Sequence, residues 1–108
     1  MRTLETVMSS IDEIVELYES GEWIVEGKLA DLHKSLAINV YFLTKFQIEA
    51  NKKFNGLVYS SEATSVARAR AEAEEQVPEL YQCRKIIEAL KNISISMTHE
   101  LNILKQER

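Results

Sequence analysis

Side chains that could bind a metal or attack a substrate are few and far apart in this 108-residue sequence. His33 and His99 each stand alone on a predicted helix, whereas zinc takes three or four closely placed ligands. Cys83 lies on an apolar helical stripe with no partner in view, where a thiol behaves as a small hydrophobic group. These three residues therefore predict no metal site and no nucleophilic catalysis.

Glycine and acidic residues also fail to form a known catalytic pattern. Gly21, Gly27 and Gly56 are scattered, so the chain has no glycine-rich loop for a phosphate. The acids of the first predicted helix lie opposite its apolar stripe, and no Glu-x-x-His pair of the di-metal carboxylate kind occurs. We expect a protein that is not an enzyme and that uses no cofactor.

Basic and aromatic residues crowd into one stretch, "NKKFNGLVYSSEATSVARAR" at residues 51–70. The whole chain has a net charge of −4, yet residues 32–70 carry six basic and two acidic residues. Binding a nucleic-acid strand requires cations for the phosphates and flat rings for the bases. We therefore predict a site for single-stranded nucleic acid, formed by Lys45, Lys52, Lys53, Tyr59, Arg68 and Arg70.

Part of this basic cluster also has a purely structural interpretation. Arg68 precedes Glu72 by four positions and Arg70 precedes Glu74 by four, the spacing at which helical side chains form ion pairs. A helix face neutralised by such pairs would offer little free charge to a nucleic acid. Both interpretations stay open on the sequence alone.

The first 31 residues have the opposite charge, with eight acidic and two basic residues. An acidic helix face suits a basic partner protein, or imitates a nucleic acid and inhibits a protein that binds one. An alternative prediction is therefore a protein-interaction module or inhibitor that binds its partner through Glu13, Glu16 and Glu19. A third interpretation is a purely structural assembly subunit.

Apolar residues that recur at helical spacing predict the elements that carry these groups. The first helix covers about residues 3–19, and a linker at 20–27 separates it from a second helix at about 28–55. The second helix is apolar on more than one side, which is typical of a helix at the centre of a bundle or at a subunit interface.

The pair Asn55-Gly56 predicts the end of the second helix, because glycine adopts the left-handed conformation at little cost. Residues 56–60 are accordingly predicted as a loop that contains Tyr59. Ser60 or Ser61 is then the predicted N-cap of the next helix.

About residues 61–107 form either one helix kinked at Pro78 or a pair of helices, and we favour the kink because no capping residue precedes Pro78. Unbroken, this helix would be about 69 Å long, whereas a compact chain of this size has a radius of gyration of about 13 Å. We therefore predict an all-α fold of long antiparallel helices, a bundle completed by a homo-oligomer. The heptad positions of this last segment are Val66, Ala69, Ala73, Leu80, Cys83, Ile87, Leu90, Met97, Leu101 and Leu104.

Length and composition predict the domain count and the compartment. A chain of this length is expected to form a single domain over residues 1–108. The single cysteine excludes an internal disulfide, and no apolar run approaches the roughly 20 residues of a membrane span. The N-terminal stretch carries acids every few positions, unlike a signal peptide. We expect a cytoplasmic protein that does not bind a membrane.

From about Lys28 onward, the order of segments resembles a known layout. An apolar helix with "EANKKF" and a tyrosine are followed by "SSEATSVARARAEAEE" and "YQCRKIIEALKNISISMTHELNILKQ". This layout, over about three quarters of the chain, is similar to that of small phage-encoded helical proteins such as the UvsY-type recombination mediators. The resemblance implies a self-associating helical protein that binds single-stranded DNA and helps to load a recombinase. Its matching basic positions are Lys52, Lys53, Arg68 and Arg70.

Overall fold

A computed structural model of the chain describes residues 2–22 and 28–106. These residues form four α-helices and no strand, which confirms the predicted all-α class. The helices are α1 (Leu4–Ser20), α2 (Leu29–Ser60), α3 (Val66–Gln76) and α4 (Pro78–Gln106). None of them is long and apolar enough to cross a membrane.

Helix α1 begins and ends at residues whose side chains and backbone favour those boundaries. The hydroxyl of Thr3 accepts a hydrogen bond from the backbone N–H of Thr6, and the Thr6 hydroxyl accepts one from the N–H of Thr3. At the other end Gly21 has a φ of 72°, a left-handed conformation that glycine adopts without strain. The observed helix differs from the predicted range of 3–19 by one residue at each end, and residues 23–27 of the predicted linker lie outside the described residues.

The predicted end of α2 at Asn55 is wrong, because the helix continues through Gly56 to Ser60. Residues 56–60 are therefore helical and not a loop, which places Tyr59 on the helix. The extension is stabilised by tertiary packing, since Leu57 contacts a small apolar cluster contributed mostly by later parts of the chain. Such packing overrides the weak helix propensity of glycine. The connection to α3 is displaced to 61–65.

The next helix is capped by Ser65 and not by Ser60 or Ser61. The Ser65 hydroxyl accepts a hydrogen bond of 3.2 Å from the backbone N–H of Arg68. This side chain satisfies one of the N–H groups that a helix start leaves without an intrahelical partner.

A single residue, Val77, separates α3 from α4, so the chain forms the pair of helices and not the favoured single kinked helix. Val77 has φ and ψ angles of −127° and 63°, outside the helical region. The cause is local, because the ring of Pro78 disfavours a helical conformation of the preceding residue, and proline suits the first position of a new helix. The heptad positions nevertheless remain buried from Ala69 to Met97, with Ser94 and Gln76 as polar exceptions.

The three longest helices meet in the main core. It is built from α1, α2 and α4, with Val7, Leu36, Leu43, Cys83 and Met97 at most 1% exposed. Lys53 of late α2 contacts Glu79 of early α4, and His33 of early α2 contacts Ser94 of late α4, so the two helices are antiparallel. The buried heptad positions of α3 and α4 are Ala69, Ala73, Leu80, Cys83, Ile87, Leu90 and Met97, whereas Val66 is 66% exposed against expectation.

A second, smaller core lies beyond the N-terminus of α1. It contains Ala50, Val77 and Leu80, with Phe54 and Leu57 packed against it. We call this end of the molecule, formed by late α2, α3 and the start of α4, the arm. The described part of the chain is accordingly elongated, with extents of 63 × 27 × 18 Å and a radius of gyration of 18.1 Å.

Candidate nucleic-acid interface

The outward face of α2 carries a line of cationic and large apolar side chains. Each lies three or four positions from its neighbour, except for the longer step to Tyr59, so that all share one helix face. Ile38, Tyr41, Ile48 and Tyr59 are 41%, 59%, 52% and 95% exposed, and the lysines between them are exposed as well. We call this set the α2 stripe: Lys34, Ile38, Tyr41, Lys45, Ile48, Lys52 and Tyr59.

Helix geometry directs the α2 stripe away from the core. Tyr41 is two residues from the buried Leu43, and Lys52 is two residues from the buried Ala50. Two residues correspond to a rotation of about 200° around a helix axis, so each stripe residue points away from its buried neighbour. The core packing of α2 therefore fixes the stripe as a solvent-facing surface.

The lysines of the α2 stripe have no carboxylate partner among the described residues. The Nζ atom of Lys45 lies 5.8 Å from the centre of the Tyr41 ring, a cation–π arrangement. Among the described residues, Lys34, Lys45 and Lys52 form no ion pair, although Asp31 and Glu49 lie beside the stripe. Three cations are therefore available to an anionic ligand.

The other predicted site residues do not join this surface. Lys53 is directed toward α4, where its Nζ lies 3.9 Å from Glu79. Arg68 pairs with Glu72 at 3.4 Å, as the structural interpretation of the sequence predicted. Arg70 is exposed, and the predicted pair with Glu74 is absent from the described ion pairs. Of the six predicted residues, the structure brings Lys45, Lys52 and Tyr59 onto one face of α2.

Four residues of this face are absent from the predicted site, namely Lys34, Ile38, Tyr41 and Ile48. The signal that could have found them is the spacing of the stripe, which repeats every three or four residues in a phase distinct from that of Leu36 and Leu43.

The remaining groups that could react or bind a metal, Cys83 and His33, lie in packed parts of the structure. Cys83 is fully buried, and this burial raises the pKa of its thiol, with a further increase from the nearby Glu79 carboxylate. His33 lies in the α2–α4 contact, where its Nε2 is 3.2 Å from the Ser94 hydroxyl and 3.3 Å from that of Thr98. No group of three or more potential metal ligands occurs in the described ranges.

The acidic alternative site lies on the outer face of α1. Glu13, Glu16 and Glu19 are all exposed, and helix α1 itself contains no basic residue. The apolar side of the same helix is committed to the main core through Val7 and Ile11, among others. The molecule therefore presents an acidic surface on α1 and a basic one on α2.

Comparisons with known proteins add no relative to this picture. No family model matches the sequence, and neither a curated protein nor a solved structure matches it significantly.

Proposed function

We propose that this chain is a small non-enzymatic accessory protein of the cytoplasm that binds single-stranded nucleic acid, without sequence preference, as an oligomer. The α2 stripe carries the proposal, since it combines two exposed tyrosine rings with three lysines that form no ion pair in the described part of the chain, all on one helix face. The resemblance to phage recombination mediators of the UvsY type points to the same class and suggests that the bound strand is handed to a recombinase.

The spacing of the stripe suits an extended strand. Lys34 and Lys52 are eighteen residues apart, and so are Tyr41 and Tyr59, which corresponds to about 27 Å along a helix. Lysines placed along this length neutralise successive phosphates and release their counterions. Tyrosine rings stack on bases of any identity, because every base has a π-face.

Single strands are favoured over a duplex by the same geometry. The bases of a duplex are already stacked and paired, so Tyr41 and Tyr59 would have no base face to contact there. Only the lysines would still contribute, through the phosphates. The affinity for a duplex should therefore be lower and should come only from the salt-dependent contacts between lysines and phosphates.

Lys53, Arg68 and Arg70 have a secondary part in this proposal. Lys53 and Arg68 are 62% and 69% exposed in weak ion pairs, and an exposed pair of this kind contributes little stability. A phosphate can therefore compete for either cation. These residues extend the basic surface along the arm, whereas the stripe provides the main contacts.

The direct test is a titration of labelled single-stranded and duplex oligonucleotides, followed by fluorescence anisotropy at low and at near-physiological salt. We expect salt-sensitive binding that prefers the single strand. Absence of binding at low salt would refute the proposal. Equal binding of both forms would refute the role of the two tyrosines.

A second candidate function follows from the acidic face of α1. Because Glu13, Glu16 and Glu19 are exposed on a helix without a basic residue, they suit a basic partner protein or imitate a nucleic acid. Reversing these three charges should abolish capture of such a partner in a pull-down assay. Binding that survives the reversal would exclude this surface.

A further inference from the structure

The break between α3 and α4 opens a groove on one side of the arm. Its volume is about 410 Å³, and its lining includes Val77 and Leu80 of the second core together with Pro78. Phe54 of α2 forms part of the same apolar lining. Tyr81 stands at this groove with 68% of its surface exposed. An aromatic side chain next to an apolar groove is the composition of a contact surface.

Charged residues of alternating sign flank the groove along the chain. Glu74 and Arg84 line it. Arg70 precedes Glu74 by four positions and Glu88 follows Arg84 by four, so each shares a helix face with the lining residue. Arg70 and Glu88 lie nine positions on either side of residue 79, and Glu74 and Arg84 lie five positions on either side. In both pairs, the residues at equal distance from this centre have opposite charges.

Such a pattern is complementary to itself under a two-fold rotation. When a second copy packs antiparallel about an axis near residue 79, Arg70 faces Glu88 of that copy and Glu74 faces its Arg84. Each contact occurs twice, because a two-fold interface uses the same patch on both subunits. The apolar centre then places each Tyr81 against the groove of the other subunit.

Within one subunit, these four charged side chains form few and weak contacts. In the described part of the chain, Arg70 and Glu74 form no ion pair. Arg84 donates only one long hydrogen bond of 3.5 Å to Asn51, and Glu88 pairs weakly with Lys85 at 3.8 Å while remaining 72% exposed. All four side chains are free to turn toward a partner.

We infer that this face of the arm is a homodimer interface, in which two copies pack antiparallel through the groove between α3 and α4. The inference rests on the oligomer in the proposed function and assigns its surface. The α2 stripe contributes no residue to the groove, so a dimer of this kind leaves both stripes open to nucleic acid and withdraws only Arg70 from the secondary basic surface of the arm.

Exchanging the charges of Glu74 and Arg84 tests this interface in the absence of nucleic acid. Sedimentation equilibrium should show a dimer for the native chain. Glu74→Arg and Arg84→Glu should each weaken dimerisation at least roughly tenfold, because each creates two like-charge contacts. The double variant should restore the dimer, since the exchanged charges face each other again across the axis. Glu75→Arg, on another face of α3, is the control and should leave the dimer unchanged.

Each other result overturns the inference. A monomeric native chain excludes the dimer. A dimer that neither Glu74→Arg nor Arg84→Glu weakens must form through another surface. A double variant that stays monomeric while its helical circular dichroism is native excludes the two-fold register. Because these measurements contain no nucleic acid, the two proposals can fail separately. A dimer that binds no oligonucleotide would refute nucleic-acid binding alone. A monomer that binds one would refute the interface and the oligomer, and would leave nucleic-acid binding standing.

Discussion

The Nζ atom of Lys45 lies 5.8 Å from the centre of the Tyr41 ring, and both side chains project from the exposed face of α2. The two residues are four positions apart, so the helix itself holds a cation beside an aromatic ring. In the proposed function, the cation contacts a phosphate and the ring stacks on an adjacent base. Electrostatic and stacking contributions to binding can therefore be separated by changing one residue at a time.

The lysines of the α2 stripe should determine the salt dependence of strand binding. Lys45→Ala and Lys52→Ala should each weaken binding and reduce the slope of log K against log salt by about 0.7, the value for one phosphate contact on a single strand. Anisotropy titrations over a series of salt concentrations measure this slope. Lys91→Ala, an exposed lysine of α4, is the matched control. A slope reduced as much by the control would assign binding to net charge and not to the stripe.

Tyr59 should contribute through its ring. The side chain is 95% exposed, so removing it leaves the core intact. Tyr59→Ala should weaken binding of the single strand by about 1–3 kcal/mol, the usual contribution of one stacked base, without changing the salt slope. Tyr59→Phe keeps the ring and should bind like the native chain. If Phe is as weak as Ala, the hydroxyl is responsible and stacking is not.

The continuation of α2 through Gly56 gives a prediction about stability. A Cβ atom added at Gly56 would meet nothing within 4 Å, and the residue lies inside the helix. Gly56→Ala should therefore raise the free energy of unfolding by about 0.5–1 kcal/mol, because alanine loses less backbone entropy in a helix. Urea denaturation measures the change.

Gly21 is the matched control for this substitution. Its φ of 72° is left-handed, so Gly21→Ala should lower the free energy of unfolding where Gly56→Ala raises it. A loss of stability at Gly56 would instead support the turn that the sequence predicted at this position.

The sequence predicted the helical class and most of the buried heptad positions, because both depend on local periodicity. It misplaced the end of α2, where Leu57 packs against Val77 and Leu80 from a distant part of the chain. Such a contact between residues far apart in sequence has no local signal. The break at Val77 was predicted only as the less favoured alternative to a kink, although the restriction that Pro78 imposes on it is local.

The candidate site was predicted in part for the same reason. Lys45, Lys52 and Tyr59 were recognised from composition, but their grouping on one face depends on α2 being helical as far as Ser60. With Tyr59 assigned to a loop, the stripe could not be traced past Lys52. Arg68 was predicted as part of the same site from composition, whereas it pairs with Glu72, as the structural interpretation of the sequence predicted.

Cys83 should make the stability of the fold sensitive to alkaline pH. Burial in the main core raises the pKa of its thiol above the value of about 8.5 that it has when exposed in the unfolded chain. Between these two pKa values the unfolded chain binds fewer protons than the native chain, so the free energy of unfolding falls as pH rises. The contribution of the buried thiol to the free energy of unfolding is complete below about pH 8.5 and is lost as pH increases toward the native pKa.

Urea denaturation of the native chain and of Cys83→Ala, under reducing conditions, measures this loss. The stability difference between the two proteins should narrow with rising pH, since alanine does not ionise, and a constant difference would show that the thiol does not titrate differently in the folded core.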